Sequence, residues 1–345
     1  MAQQMKSRSS ISSSSNGLRS FVGRLVAFAA LLLIVQIILS FWLEASFPEL
    51  SALDRHLAAR VDVIYFGDSV LHYHARGDRT RRGIPELLQE LSPAYTVGSV
   101  DHPAYHFGLY RRFCEYIRRI GAAPKIIVIP ITIRSFSAAW LRRPEYQFPT
   151  ESIILGYRTQ HFESRMMRAF LQPLLVFKAF DMRPEAAFVE RAPMNAGNGP
   201  LDDGADVPHK RPEDISDDDI MRWLRGAYMY SLTGAHPRIQ DMLDIMRAFR
   251  GTRSKLFFYL TPIDHETGTQ LVGEAFSQRV RENVGLILRL SAAHDVPLSD
   301  LTFSLGADAF GWRGDGKVPD EHLAESGRRY VATRLQQSLR SLLRD

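Results

Sequence analysis

Two short segments far apart in the sequence carry residue types suited to acyl transfer: Gly67-Asp68-Ser69 and Asp320-Glu321-His322. A serine hydroxyl is a poor nucleophile near neutral pH unless a neighbouring base takes its proton. An imidazole suits that task because it titrates near working pH, and a carboxylate beside it fixes the ring tautomer and stabilises the charged ring. Taken singly, neither segment is distinctive: a serine after a strand is commonly a helix cap, and Asp-x-His is commonly structural. Together they predict Ser69 as nucleophile, His322 as base and Asp320 as its supporting carboxylate.

Other polar residues group around these. His72, His74, His102 and His106 could ligate a metal, but there is no cysteine partner, no His-Glu-x-x-His and no carboxylate-rich spacing, so the prediction is no metal and no cofactor. Asp68, Asp101 and His102, Arg134 and Ser135, and Asp264 follow apolar runs and are candidates to line a cleft. Ser216-Asp217-Asp218-Asp219 reads as a helix start, with Ser216 as N-cap and acids favoured by the helix dipole. Trp223, Tyr228 and Tyr230 behind it suit either sugar stacking or a core.

Positioning Ser69 and His322 requires strands and helices in alternation, and the sequence supplies them. Val61–Phe66 (VDVIYF) is a short apolar run ending at glycine, which reads as a buried strand. Tyr95–Val100, Lys125–Ile133 and Lys255–Leu260 read as further strands. Helical periodicity covers Phe107–Ile120, residues 239–250, residues 274–294 and Glu325–Leu343, and a helix is expected soon after Ser69. Strands alternating with helices predict a three-layer α/β/α fold around a mostly parallel sheet, of the flavodoxin-like kind. Ligands in such sheets collect beyond the carboxyl ends of the strands, where Ser69 falls. Residues 190–219, rich in Pro, Gly, Asn and Asp, read as an insertion, and residues 44–60 as a connector.

Ahead of this domain, residues 25–43 (LVAFAALLLIVQIILSFWL) hold nineteen residues without a charge. As a helix they would span roughly 28 Å, the hydrocarbon thickness of a bilayer. Residues 21–43 are therefore predicted to anchor the chain, and residues 1–20, Ser-rich and low in complexity, to form a disordered cytoplasmic tail. The formal net charge is +5, and four of the cations, Lys6, Arg8, Arg19 and Arg24, precede residue 44 with no acid among them. That asymmetry predicts a cytoplasmic N-terminus and a periplasmic or extracytoplasmic domain, in the inner (cytoplasmic) membrane. The rest of the chain is near neutral, which argues against a nucleic-acid partner. Cys114 is the single cysteine, so no internal disulfide forms.

VDVIYFGDS and PDEHLAESGRRYVA resemble the first and last sequence blocks of the SGNH/GDSL hydrolase superfamily. The resemblance implies an esterase-type triad of Ser69, His322 and Asp320, and an oxyanion hole from Ser69, Gly98 in YTVGS and Thr132 in VIPITIRSFS. Two departures stand out: Asp320 lies two residues before His322 rather than three, and Thr132 stands where the third block carries Asn. The shorter spacing is similar to alginate-type O-acetyltransferases, and chain order and anchor placement to the D-alanyl transfer protein of teichoic acid modification. Three functions follow as expectations: O-acetylation of a cell-envelope or exported polysaccharide, with a membrane-bound O-acyltransferase as partner; ester hydrolysis with water as acceptor; or a non-catalytic glycan-binding scaffold on the same fold.

Overall fold

A computed structural model describes residues 20–32, 34–35, 47–159, 216–312 and 319–344. The chain divides into two units, residues 1–47 and residues 48–345. In the first, residues 20–32 are helical, with Phe21, Leu25, Val26 and Phe28 exposed. The predicted anchor lies partly outside the described residues, as do residues 1–19 and most of the predicted insertion. Among the described residues no helix is long and apolar enough to cross a membrane.

The second unit is built on five parallel strands in the order β2-β1-β3-β4-β5: β1 Val63–Gly67, β2 Val97–Asp101, β3 Ile126–Ile131, β4 Lys255–Leu260 and β5 Leu298–Asp300. Every residue of β1 and β3 is buried. This is the signature of strands covered on both faces, and it is why their sequences are continuously apolar rather than alternating. The helices are α1 Pro48–Ala58, α2 Ile84–Leu91, α3 Phe107–Arg119, α4 Ala138–Arg142, α5 Pro149–Arg158, α6 Asp217–Tyr228, α7 Pro237–Phe249, α8 His265–Val272, α9 Glu274–Ala293 and α10 Glu325–Arg344. The strand order sends the α2 connection one way along the sheet and the α3 and α7 connections the other, which sets α2 on one face and α3 and α7 on the opposite one. The packing agrees, for α2 lies against α10 and α3 against α7.

The order places the switch point between β1 and β3, where the connections leave in opposite directions and open a crevice beyond the strand ends. Ser69 follows β1 there and Thr132 follows β3. Part of the stretch that the sequence reads as a connector is helical. Pro48–Ala58 is a helix that buries Leu50 and Leu53 and covers edge strand β2, with His56 Nε2 3.0 Å from the Ser99 carbonyl oxygen. The helix expected after Ser69 is absent. Residues 69–72 form turns, and the next helix starts at Ile84 behind Gly83 with Pro85 in its first turn, where a missing N–H costs nothing. Ser216 caps α6 as expected: its hydroxyl accepts from Asp219 N–H at 3.2 Å and Asp219 accepts in return from Ser216 N–H at 3.1 Å.

Candidate active site

The turn after β1 is fixed by its own residues. Gly67 is required by packing, since a Cβ there would lie 2.1 Å from Leu71 Cδ1. Asp68 is buried, its Oδ1 accepting from Val70 N–H at 2.9 Å and its Oδ2 from the Thr132 hydroxyl at 3.0 Å. Asp68 therefore ties the β1 turn to the end of β3 and is not a cleft residue. With Val70 and Leu71 buried on one side, Ser69 is left half-exposed at the crest of the turn.

His322 reaches it from the loop before α10. His322 Nδ1 lies 2.5 Å from Asp320 Oδ2, and Asp320 Oδ1 accepts the His322 backbone N–H at 2.9 Å. With Nδ1 donating to the carboxylate, Nε2 is the ring's acceptor, and Ser69 Oγ–H lies 2.8 Å from it. Ser69, His322 and Asp320 thus meet in the arrangement a serine nucleophile needs. Burial disfavours ionisation of Asp320, but His322, Arg134 and the His322 N–H together outweigh burial and hold its carboxyl below the ordinary range. The short Asp-x-His spacing is accommodated because the same carboxylate bonds both the ring and the backbone of His322.

Neighbouring side chains hold the imidazole in place. The Tyr73 ring stacks on it with centroids 4.4 Å apart and planes 19° from parallel. Trp223 Nε1 donates to Pro319 O at 2.6 Å, and the His322 carbonyl accepts from Gly311 N–H at 3.0 Å. Arg328, wholly buried, donates to the carbonyls of Tyr73, Leu323, Thr80 and Arg82 and pairs with Asp78 at 2.7 Å. One guanidinium therefore anchors both the loop carrying Tyr73 and the residue after His322. Tyr73 and Arg328 escape sequence reading, since neither belongs to the two motifs as catalytic chemistry defines them.

Several predicted site residues have other tasks. Gly98 pairs with Ile64, three residues short of the Gly67–Asp101 pair that ends the ladder, or about 10 Å back along the strand. A Cβ at Gly98 would meet His56 of α1 at 2.5 Å, so this glycine serves helix packing and not an oxyanion hole. Thr132 is buried and gives its hydroxyl proton to Asp68, so it is not free to donate to an oxyanion. Ser135, also buried, donates its hydroxyl to Thr132 O at 2.7 Å. Arg134 lies behind Asp320, with Nη1 3.7 Å from Asp320 Oδ2, rather than in a cleft. Asp264 is buried as the N-cap of α8, accepting from Thr267 N–H at 3.0 Å and from Trp312 Nε1 at 2.9 Å. Of the two readings open for Tyr228 and Tyr230, sugar stacking or core, the internal one holds: they donate to Glu321 Oε1 at 3.1 Å and Ile133 O at 2.6 Å.

Asp101 and His102 remain beside the site. His102 N–H donates to Gly67 O at 3.4 Å, which lays residues 102–105 alongside the Ser69 turn, and Ala104 adopts φ 67°. Asp101 Oδ1 is 3.1 Å from His72 Nε2, and Glu86 faces the other ring nitrogen at 3.6 Å. Burial works against a charge on His72, but Asp101 and Glu86 outweigh it and raise its proton affinity. His106 caps α3, accepting from Gly108 N–H at 3.1 Å. Among the described residues, no three His, Cys, Asp or Glu side chains are grouped to hold a metal ion.

No family model matches the chain, and no curated protein does. Solved structures align over most of it at low similarity. An aryl esterase of M. smegmatis is 14% identical, with 81% of this chain and 98% of the other aligned at a TM-score of 0.35. An alpha/beta hydrolase from the Lake Arreo metagenome is 12% identical over 82% and 96%, at 0.38. A carbohydrate acetylesterase family member from Sinorhizobium meliloti is 13% identical over 81% and 98%, at 0.36.

Proposed function

We propose that the chain is a serine esterase or O-acyltransferase of the SGNH type, working through an acyl-Ser69 intermediate. The observation that carries this reading is the continuous hydrogen-bonded line from Ser69 Oγ through the His322 ring to Asp320, at 2.8 and 2.5 Å. It lies beyond the strand ends at the switch point of the sheet.

In this reading Ser69 Oγ attacks an ester carbonyl while its proton passes to His322 Nε2, and Asp320 stabilises the imidazolium that results. The tetrahedral oxyanion takes the Ser69 N–H and an N–H from the 102–105 turn, in place of Gly98 and Thr132. Collapse expels the alcohol, which receives the proton from His322, and leaves acyl-Ser69. A second alcohol or a water then gives its proton to His322 and attacks, restoring the serine. Transfer and hydrolysis differ only in this acceptor. The charge-free run at residues 25–43, with positive charge ahead of it, supports an inner-membrane anchor and an extracytoplasmic domain. The substrate class proposed is a cell-envelope or exported polysaccharide, with a membrane-bound O-acyltransferase supplying the acyl group.

The test is made on the full chain in detergent, with 4-nitrophenyl acetate and a fluorophosphonate probe. Wild type is expected to label at Ser69 and to hydrolyse the ester. Ser69→Ala is expected to lose the label and at least about 10³-fold in kcat/KM. Retention of both by Ser69→Ala refutes the reading. Adding an acetyl-accepting oligosaccharide distinguishes transfer from hydrolysis by whether acetate appears on the glycan or in solution.

A further inference from the structure

Glu321 sits between the two residues assigned to the charge relay, yet it faces the opposite way. Its side chain is 0% exposed. Oε1 accepts the Arg134 backbone N–H at 3.3 Å and the Tyr228 hydroxyl at 3.1 Å, and Oε2 lies 3.5 Å from Thr261 Oγ1. The Arg134 side chain, equally buried, reaches both acids of the loop: Nε is 3.8 Å from Glu321 Oε2 and Nη1 is 3.7 Å from Asp320 Oδ2. That Asp320 oxygen is the one that His322 Nδ1 touches. One cation is thus shared between a carboxylate in the relay and a carboxyl outside it.

We propose that Arg134 and Glu321 form a positioning pair behind the relay, in which the proton on Glu321 sets how far the Arg134 charge is directed at Asp320. The inference rests on the serine-triad reading of Ser69, His322 and Asp320. Burial raises the proton affinity of Glu321, Arg134 opposes that, and Asp68 adds to it; the carboxyl is pushed up to about 7. Arg134 stays charged, since Glu321 and Asp320 outweigh the burial that works against it. The groups around Glu321 come from every neighbouring element: Asp68 after β1, Arg134 after β3, Tyr228 on α6 with Tyr230 beyond it, Thr261 after β4, and Asp320 on its own loop.

Protonated Glu321 leaves Arg134 to Asp320 alone, and the cation then opposes a second positive charge on His322. Ionised Glu321 neutralises Arg134, so less positive charge stands behind Asp320 and the imidazolium formed during reaction is better stabilised. Such a pair makes the electrostatic support behind Asp320 depend on the proton held by Glu321.

The test compares wild type, Glu321→Gln and Tyr228→Phe as full chains across pH 5 to 9. Glu321→Gln is expected to move the acid limb of kcat/KM down by less than about one pH unit, since wild-type Glu321 is already partly protonated there. Tyr228→Phe removes a hydrogen bond that favours the ionised carboxyl, so its Glu321-dependent step is expected at higher pH. The ring-proton resonance of His322, followed by NMR with selectively labelled histidine, reads the same coupling without any turnover. Wild type is expected to show a second inflection that Glu321→Gln lacks and Tyr228→Phe displaces upward. A His322 resonance identical in wild type and Tyr228→Phe overturns the inference, whether or not Glu321→Gln folds. Absence of fluorophosphonate labelling in wild type counts against the triad reading alone, because the resonance still reports the pair.

Discussion

The two sides of His322 are built to different standards. Behind the ring, Asp320, Glu321, Arg134, Thr132 and Asp68 are all buried, and each bonds at least one of the others or the backbone that carries them. In front, the His72–Asp101–Glu86 cluster is only partly covered, with side chains 34%, 20% and 50% exposed. Buried charges gain from each other only when fully paired, and an unpaired one is costly; exposed charges are screened and forgiving. The rear of the site is therefore held to one geometry, while the front tolerates change.

The strongest test of the contrast is Asp320→Asn, which keeps the shape but removes the charge that stabilises the imidazolium. It is expected to lower kcat by about 10⁴-fold in the aryl acetate assay, with the fold intact by circular dichroism. Next, Arg328→Ala takes the buried guanidinium from four carbonyls and from Asp78, which keeps the Ala75 and Glu325 N–H groups. Urea unfolding is expected to show a loss of about 3–5 kcal/mol, with Tyr73 fluorescence reporting release from His322. Thr132→Val sharpens the view of the rear. As a tie to Asp68 it is worth about 1 kcal/mol of stability, with kcat falling less than about tenfold, whereas a loss near 10²-fold would restore Thr132 to the oxyanion hole.

The smallest effect belongs to the front. Because Asp101 raises the proton affinity of His72, their pairing stabilises the fold fully below the ordinary histidine pKa of about 6.5 and fades as pH rises through the raised value. Asp101→Asn is expected to cost about 0.5 kcal/mol at pH 5.5, with no difference from wild type in alkaline solution. A cost equal to that of Arg328→Ala would make the front as rigidly specified as the rear and erase the contrast.

Much of this is legible in the sequence where one physical cause dominates. KLFFYL and the VIYFG stretch are continuous apolar runs because both faces of their strands are covered, and β4 matches its expected span residue for residue. β5 is invisible in the sequence, since Leu298–Asp300 is three residues long and none of them is buried. Helix α1 hides in a stretch that looks like a linker, because what selects it is an edge strand some way further along the chain. Ser69, His322 and Asp320 are legible by residue type and element boundary. Gly98 misleads because glycine at a strand permits close approach of any neighbour, and here the neighbour is His56. The roles of Glu321 and Arg328 are beyond reach: burial of a charge depends on what surrounds it in space, which composition does not encode.

Ser69 and His322 are 253 residues apart in the chain yet share a hydrogen bond. During synthesis, the nucleophile emerges long before its base, and closing so long a loop is among the slower events in folding. In a partly made chain Ser69 therefore lacks His322, and their hydrogen bond forms only when α10 docks and Arg328 closes on Tyr73 and Asp78. Assembly order thereby leaves the Ser69 hydroxyl without its imidazole partner until the C-terminal helix is in place.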